Sequence, residues 1–197
     1  MNKAVEFYFD LGSPASYLAY TQLPDICLRA NAQLHYKPIL LGAVFQLTGN
    51  ASPAMIPAKG RYIAEDLARF AKRYGVAMRF SRFFPINTMT MMRMLLAVQL
   101  REPQQFDALL RVLFEGIWLN NQNLGDEQVL GQVLTEAGFD VSKLLAYTAQ
   151  PEIKGALKKA TELAVERGVF GAPTCFVDDQ MFFGQDRLDF IESALGF

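Results

Sequence analysis

The chain opens on a run of β-branched and aromatic residues, Val5 to Asp10 (VEFYFD), which predicts a strand. Leu11-Gly12 turns the chain, and Ser13-Pro14 then starts a helix that runs to about Ala30. Serine is a strong N-cap because its oxygen accepts from a free N–H of the first turn, and proline suits the first helical position, where no N–H is needed. Leu18, Leu23, Ile26 and Cys27 give this helix an apolar face, and a second strand follows at about Gln33 to Ile39. Strand, helix and strand in such short succession predict a βαβ unit with parallel strands and a right-handed crossover.

Beyond Leu41 the pattern changes. Residues 42–60 carry Gly42, Gly49-Asn50, Pro53, Pro57 and Gly60 and read as loop-rich. Helical periodicity then dominates at Arg61–Tyr74, Thr88–Arg101, Gln104–Leu119, Gly125–Ala137 and Val141–Tyr147, punctuated by Pro103 and Gly138. Met89, Met91, Met92, Met94, Phe106, Phe114 and Trp118 in this stretch are expected in the core rather than around a cofactor. A further helix, Glu152–Arg167, ends at Gly168 as its C-cap. Strand Thr174–Val177, a turn at Asp178-Asp179, a return strand Met181–Phe183, a break at Gly184 and a helix Asp186–Leu195 follow.

The predicted class is therefore α/β. Setting aside an all-helical insertion after the second strand, residues 42–150, leaves the order βαβαββα in residues 1–41 and 151–197. That order resembles the thioredoxin fold, with the insertion placed as in disulfide oxidoreductases and kappa-class glutathione transferases.

Composition narrows the chemistry. Against 19 Lys and Arg stand 20 Asp and Glu, a net charge of -1, so no nucleic-acid partner is expected. Cys27 and Cys175 are the two cysteines, far apart and in no CxxC, and His35 is the one histidine. A disulfide framework is not expected, and a Cys/His zinc site lacks ligands, so no metal is expected. His35 sits in the strand-like Leu34-His35-Tyr36-Lys37 with nothing to mark it as a base, and reads as structural or surface. No apolar run approaches the ~18 residues of a membrane span, and no secretory leader is visible. A cytoplasmic protein with no membrane partner is the expectation.

Three motifs can carry chemistry. In FYFDLGSPASYLAY, residues 7–20, Ser13-Pro14-Ala15-Ser16 stands where redox thioredoxins place CxxC. Serines form no disulfide, but a hydroxyl at a helix N-terminus can donate to another molecule's thiolate and hold it ionised. Taken alone, Ser13 reads as an ordinary N-cap followed by a proline at the first helical position. Gly171-Ala172-Pro173-Thr174 before a strand suits a cis-proline loop, whose Ala172 backbone can pair with a peptide laid across it, with a trans proline starting the strand as the plain alternative. In Phe183-Gly184-Gln185-Asp186-Arg187, free N–H groups after Gly184 suit a carboxylate and Asp186 suits an ammonium, the two charges of an amino-acid head group. Asp186 as a simple helix cap is the alternative. Together the three describe a site for a short peptide thiol with the shape and charge of glutathione.

These residues also resemble a family over nearly the full length: the 2-hydroxychromene-2-carboxylate isomerases and the kappa-class glutathione transferases. The family's FxFDxxSPxSYL serine falls on Ser13, its VFGxPT segment on Val169–Thr174, and its FG-S/N/Q-DR segment on Phe183–Arg187. LTGNASPAMIPAKGRYIAEDLARFAKRYG and FPINTMTMMR match the family's middle, with Asn50 at a glutathione-touching asparagine. The resemblance implies glutathione as cofactor, Ser13 as the catalytic hydroxyl, and Asn50, Ala172, Pro173, Gln185 and Asp186 as its binding residues. It implies cis–trans isomerisation of a small-molecule conjugated aromatic 2-oxo acid through a transient glutathione adduct, in a homodimer. One departure stands out. Naphthalene-pathway isomerases carry a substrate-binding lysine just before the Gly-Asn pair, where this chain reads Gly42-Ala43-Val44-Phe45-Gln46. Lys59 or Arg61 is the substitute for the substrate carboxylate, with Asn87 beside the acceptor, unless both cations are plain surface charge. A kappa-like transferase or peroxidase keeps the same site, and a non-catalytic peptide-binding module keeps only the fold.

Overall fold

The computed structural model describes residues 3–196. β1 (Ala4–Phe9), α1 (Pro14–Arg29) and β2 (Gln33–Pro38) form the expected βαβ unit, with β1 and β2 parallel from Ala4↔Gln33 to Phe9↔Pro38. β3 (Thr174–Val177) runs antiparallel to β1, and β4 (Gln180–Phe183) antiparallel to β3, giving the sheet order β2-β1-β3-β4 among the described residues. β1 is thus central and covered on both faces, which is why it reads as an almost unbroken apolar run.

The helical stretch comprises α2 (Leu41–Thr48), α3 (Pro57–Tyr74), α4 (Met89–Arg101), α5 (Phe106–Trp118), α6 (Glu127–Glu136) and α7 (Val141–Ala149), and α8 (Pro151–Glu166) and α9 (Leu188–Leu195) flank the β3–β4 hairpin. Two expectations need correction. Residues 42–60 hold more helix than expected: α2 occupies Leu41–Thr48, a 3-10 turn occupies Pro53–Met55, and α3 begins at Pro57, with proline at its first position, leaving loop mainly at 49–52. α2 has no side-chain cap of its own; its Leu41 N–H is answered by Asp10 from the end of β1, a partner that local sequence cannot reveal. The last helix also starts later than Asp186, because Gln185–Arg187 forms a 3-10 turn ahead of α9.

One core joins the two segments. Val5, Phe7 and Phe9 of β1 and Leu18 and Leu23 of α1 pack with Met91, Met92 and Leu95 of α4 and with Leu113, Phe114 and Trp118 of α5. Phe114 stands at the centre, its ring 5.8 Å from Phe9 and stacked at 4.9 Å on Tyr20. On the other face of the sheet Tyr8, Ile39, Val44, Ala164, Val169 and Phe176 form a smaller cluster. Alternation along β1 sends Phe7 and Phe9 to one cluster and Tyr8 to the other. Of the Met and aromatic residues expected inside, Met89 alone is on the surface, at 41% exposure.

Both cysteines are buried and free. Burial pushes the Cys27 thiol up to about 11 and holds the Cys175 thiol well above its ordinary range. Thiolate is the reactive form. Neither thiol is therefore expected to react with an aromatic disulfide reagent in the native protein at pH 8 within minutes, and both should react at once in denaturant.

Candidate active site

Ser13 is the pivot. It sits at the N-cap of α1 with extended backbone (φ -91, ψ 114) and is buried at 4% exposure. Its Oγ accepts from the Ser16 N–H at 3.1 Å and donates to the Ala172 carbonyl at 2.8 Å. The Ala172–Pro173 bond is cis. Two motifs far apart in sequence therefore meet through one hydrogen bond.

The turn that presents Ser13 is held from the helical segment. Asp10 ends β1 at 3% exposure, and its two oxygens accept from the Gly12 N–H (2.8 Å), the Thr88 hydroxyl (2.7 Å) and the Leu41 N–H (2.8 Å). Burial pushes the Asp10 carboxyl upward, and the donors from Gly12, Leu41 and Thr88 pull against it. The Trp118 indole N–H donates to the Leu11 carbonyl at 2.8 Å, and the Leu11 N–H points at the Met92 sulfur at 3.5 Å. Gly12 leaves little room for a side chain, since a Cβ there would lie 3.3 Å from the Thr88 methyl and 3.4 Å from Asp10 Oδ1.

A cleft of about 270 Å³ opens beside this turn, lined by Pro14, Ala172, Pro173, Gln185, Asp66 and Asp186 among others. Gln185 is buried, and its carbonyl accepts from the Tyr74 hydroxyl at 2.6 Å. Burial, with Asp186 nearby, pushes that phenol up to about 12, so Tyr74 stays a donor. Asp186 is paired with Arg187, and Asp66 lies 3.6 Å from Arg69. Gly171 must be small as well: a Cβ there would lie 2.7 Å from the Phe183 ring. Asn50 does not line this cleft; its amide donates to the Phe170 carbonyl at 2.9 Å, bracing the segment before Ala172.

A second cavity of about 340 Å³ adjoins Asp10, lined by Asp10, Leu40, Ala43, Gln46, Asn87 and Met89 among others. Asn87 lines this second cavity, its Oδ1 accepting from the Met89 N–H at 3.1 Å. Lys59 and Arg61 are exposed near the start of α3 and line neither cavity. His35 is exposed on β2, with a ring nitrogen 3.1 Å from Gln33 Oε1.

With this geometry in place, the relatives can be compared. Residues 4–196 match the DSBA-like thioredoxin domain. A 2-hydroxychromene-2-carboxylate isomerase of Sphingobium xenophagum is 35% identical over 99% of both chains. The human glutathione S-transferase kappa 1 is 30% identical over 98% of this chain and 91% of that protein. A solved 2-hydroxychromene-2-carboxylate isomerase superposes with a TM-score of 0.86 at 31% identity, over 98% of this chain and 94% of the other. The chain belongs to the DsbA-like thioredoxin family, in the group of these isomerases and kappa transferases.

As a DsbA-like domain without CxxC, the protein has residues at the site that the motif reading passed over. Asp10 lies inside the FYFD motif but gives no local sign that it gathers three donors from three segments. Asp66 and Tyr74 are ordinary positions on an amphipathic helix until the fold sets Asp66 in the cleft wall and the Tyr74 hydroxyl on the Gln185 carbonyl. Ser16 Oγ is fully buried and, among the described residues, lacks a hydrogen-bond partner.

Two substitutions separate these roles. Asp10→Asn places an amide donor against the Leu41 N–H and should cost about 1–3 kcal/mol in urea unfolding. Ser16→Ala removes an orphaned hydroxyl and should leave stability equal or higher in the same measurement.

Proposed function

We propose that the protein is a glutathione-dependent isomerase of the 2-hydroxychromene-2-carboxylate type, acting on a conjugated aromatic 2-oxo acid. The observation that carries this is the meeting of the Ser13 hydroxyl with the Ala172 carbonyl, 2.8 Å apart, at the edge of a cleft that also holds Asp66 and Asp186. A hydroxyl for sulfur, a backbone clamp for a peptide and carboxylates for an ammonium fit glutathione. When bound, glutathione supplies the nucleophilic sulfur for reversible addition to a conjugated double bond.

The chain's own residues position and polarise. Ser13 donates to the sulfur, and the N-terminus of α1 favours its anionic form. Ala172 and Pro173 orient the cysteinyl part, and Gln185 and Asp186, with Asp66, take the γ-glutamyl head group. Asn50 acts through the loop it braces at Phe170. Asn87 faces the acceptor in the second cavity. Lys59 and Arg61 are assigned to the substrate carboxylate at the outer edge, on the helix whose Ile63, Asp66 and Leu67 line the cleft.

The assembly proposed is a homodimer, with Met55, Ile56 and Tyr62, 77%, 49% and 60% exposed, as apolar surface for the second copy. No described helix is long and apolar enough to cross a membrane. A kappa-like transferase is the second reading, supported by the 30% identity to the human kappa enzyme.

Glutathione at a hundred times its Kd should stabilise the protein by about 2.7 kcal/mol in thermal unfolding, and no shift would favour a non-catalytic module. Ser13→Ala should lower kcat/KM for chromene isomerisation roughly 100-fold, read from product absorbance, because one donor to a developing charge is lost. Isomerisation at the wild-type rate would remove Ser13 from the mechanism. Conjugation of a chlorinated nitrobenzene with no action on the chromene would select the transferase.

A further inference from the structure

The Ser13 hydroxyl already has a partner. It donates to the Ala172 carbonyl at 2.8 Å, while its oxygen accepts from the Ser16 N–H at 3.1 Å. A serine hydroxyl has one proton to give, whereas a carbonyl oxygen has two lone pairs to receive. Ser13 therefore cannot serve Ala172 and a sulfur at the same time. Among the described residues, the hydrogen bond to that carbonyl comes from Ser13. Moving the hydroxyl to sulfur leaves the Ala172 oxygen short of its donor, which opposes the move.

We propose that Ala172 holds the Ser13 proton in reserve, and that a ligand releases it to sulfur only by bringing its own amide N–H to the Ala172 carbonyl. The site is then selective for peptide thiols, whose N–H and sulfur are separated only by Cα and Cβ, over small thiols without that N–H. The inference rests on the reading of the cleft as a glutathione site and adds a condition to it.

The geometry supports the exchange. The Ser13 main chain is held by the Asp10 carbonyl, which accepts its N–H at 3.0 Å, and by the turn that Asp10, Trp118 and Met92 anchor. The exchange therefore needs only rotation of the hydroxyl hydrogen about the Cβ–Oγ bond, with the oxygen left in place. Before binding, the Ser13 O–H meets the Ala172 oxygen. After binding, the ligand N–H meets the Ala172 oxygen and the Ser13 O–H meets the sulfur, whose proton has gone to water. No covalent bond within the protein changes, and a single hydrogen bond becomes two. Ser16 keeps its N–H on the Ser13 oxygen throughout.

The test compares glutathione with its depsipeptide analogue, in which an ester oxygen replaces the cysteinyl N–H. The acid constant of the bound thiol is followed by ultraviolet thiolate absorbance, with occupancy set by saturating thermal shift. In the wild-type protein the glutathione thiol should be at least tenfold more acidic than the analogue's, about one pH unit. In Ser13→Ala the two bound ligands should titrate together. Equal acidity in the wild type overturns the exchange, as does a difference that persists undiminished in Ser13→Ala. An analogue that does not bind also overturns it, because Ser13 is expected to keep Ala172 paired. The wild-type pair decides alone if Ser13→Ala does not fold. Failure of glutathione to bind overturns this inference and the functional reading together, whereas glutathione that binds with unchanged analogue behaviour overturns only the exchange.

Discussion

The buried carboxylate of Asp10 is the constraint around which the site is organised. An ionisable group with 3% exposure needs donors, and here they come from its own turn (Gly12), from the start of α2 (Leu41) and from the residue before α4 (Thr88). A carboxylate left without such partners in an apolar interior would be costly enough to neutralise or unfold the region. The three contacts therefore bind the end of β1 to the helical segment, and the turn that carries Ser13 inherits that rigidity. Trp118, donating to the next carbonyl at Leu11, closes the turn from α5.

From that fixed turn the sheet topology supplies the second half of the site. β3 pairs antiparallel with β1, so the segment entering β3 comes back beside the segment leaving β1. Ala172 and Ser13, remote in sequence, thus stand one hydrogen bond apart. In redox thioredoxins a cysteine occupies such a position; here a hydroxyl does, and both cysteines lie buried elsewhere. The scaffold has the electrostatics that favour a sulfur anion at the N-terminus of α1 but no sulfur of its own to put there. Borrowing the thiol of a peptide fits that arrangement.

Much of this was legible locally. The Ser13-Pro14 start of α1, the β1 pattern and the turn at Asp178-Asp179 follow from propensity, capping and turn chemistry, and they stand in the structure. α2 escaped because Gly42 and Gly49 weaken its pattern and its N-terminal donor is satisfied by Asp10, distant in sequence. Met89 was expected inside because its neighbours Met91, Met92 and Met94 are, yet it falls on the exposed side of α4 and lines the second cavity. That Lys59 and Arg61 stand outside both cavities, on the helix that lends Ile63, Asp66 and Leu67 to the cleft, does not follow from their charge.

The sequence by itself determined the order of elements, the absence of a CxxC pair and the identity of the three motifs, because each depends on neighbours a few residues apart. Only the tertiary structure decided that Ser13 gives its proton to Ala172, that Asp66 reaches the cleft from α3 while Tyr74 holds the Gln185 carbonyl, and that Asp10 is the anchor. Those facts depend on contacts between segments distant along the chain, where burial makes an unpaired polar group costly and so selects one arrangement of partners.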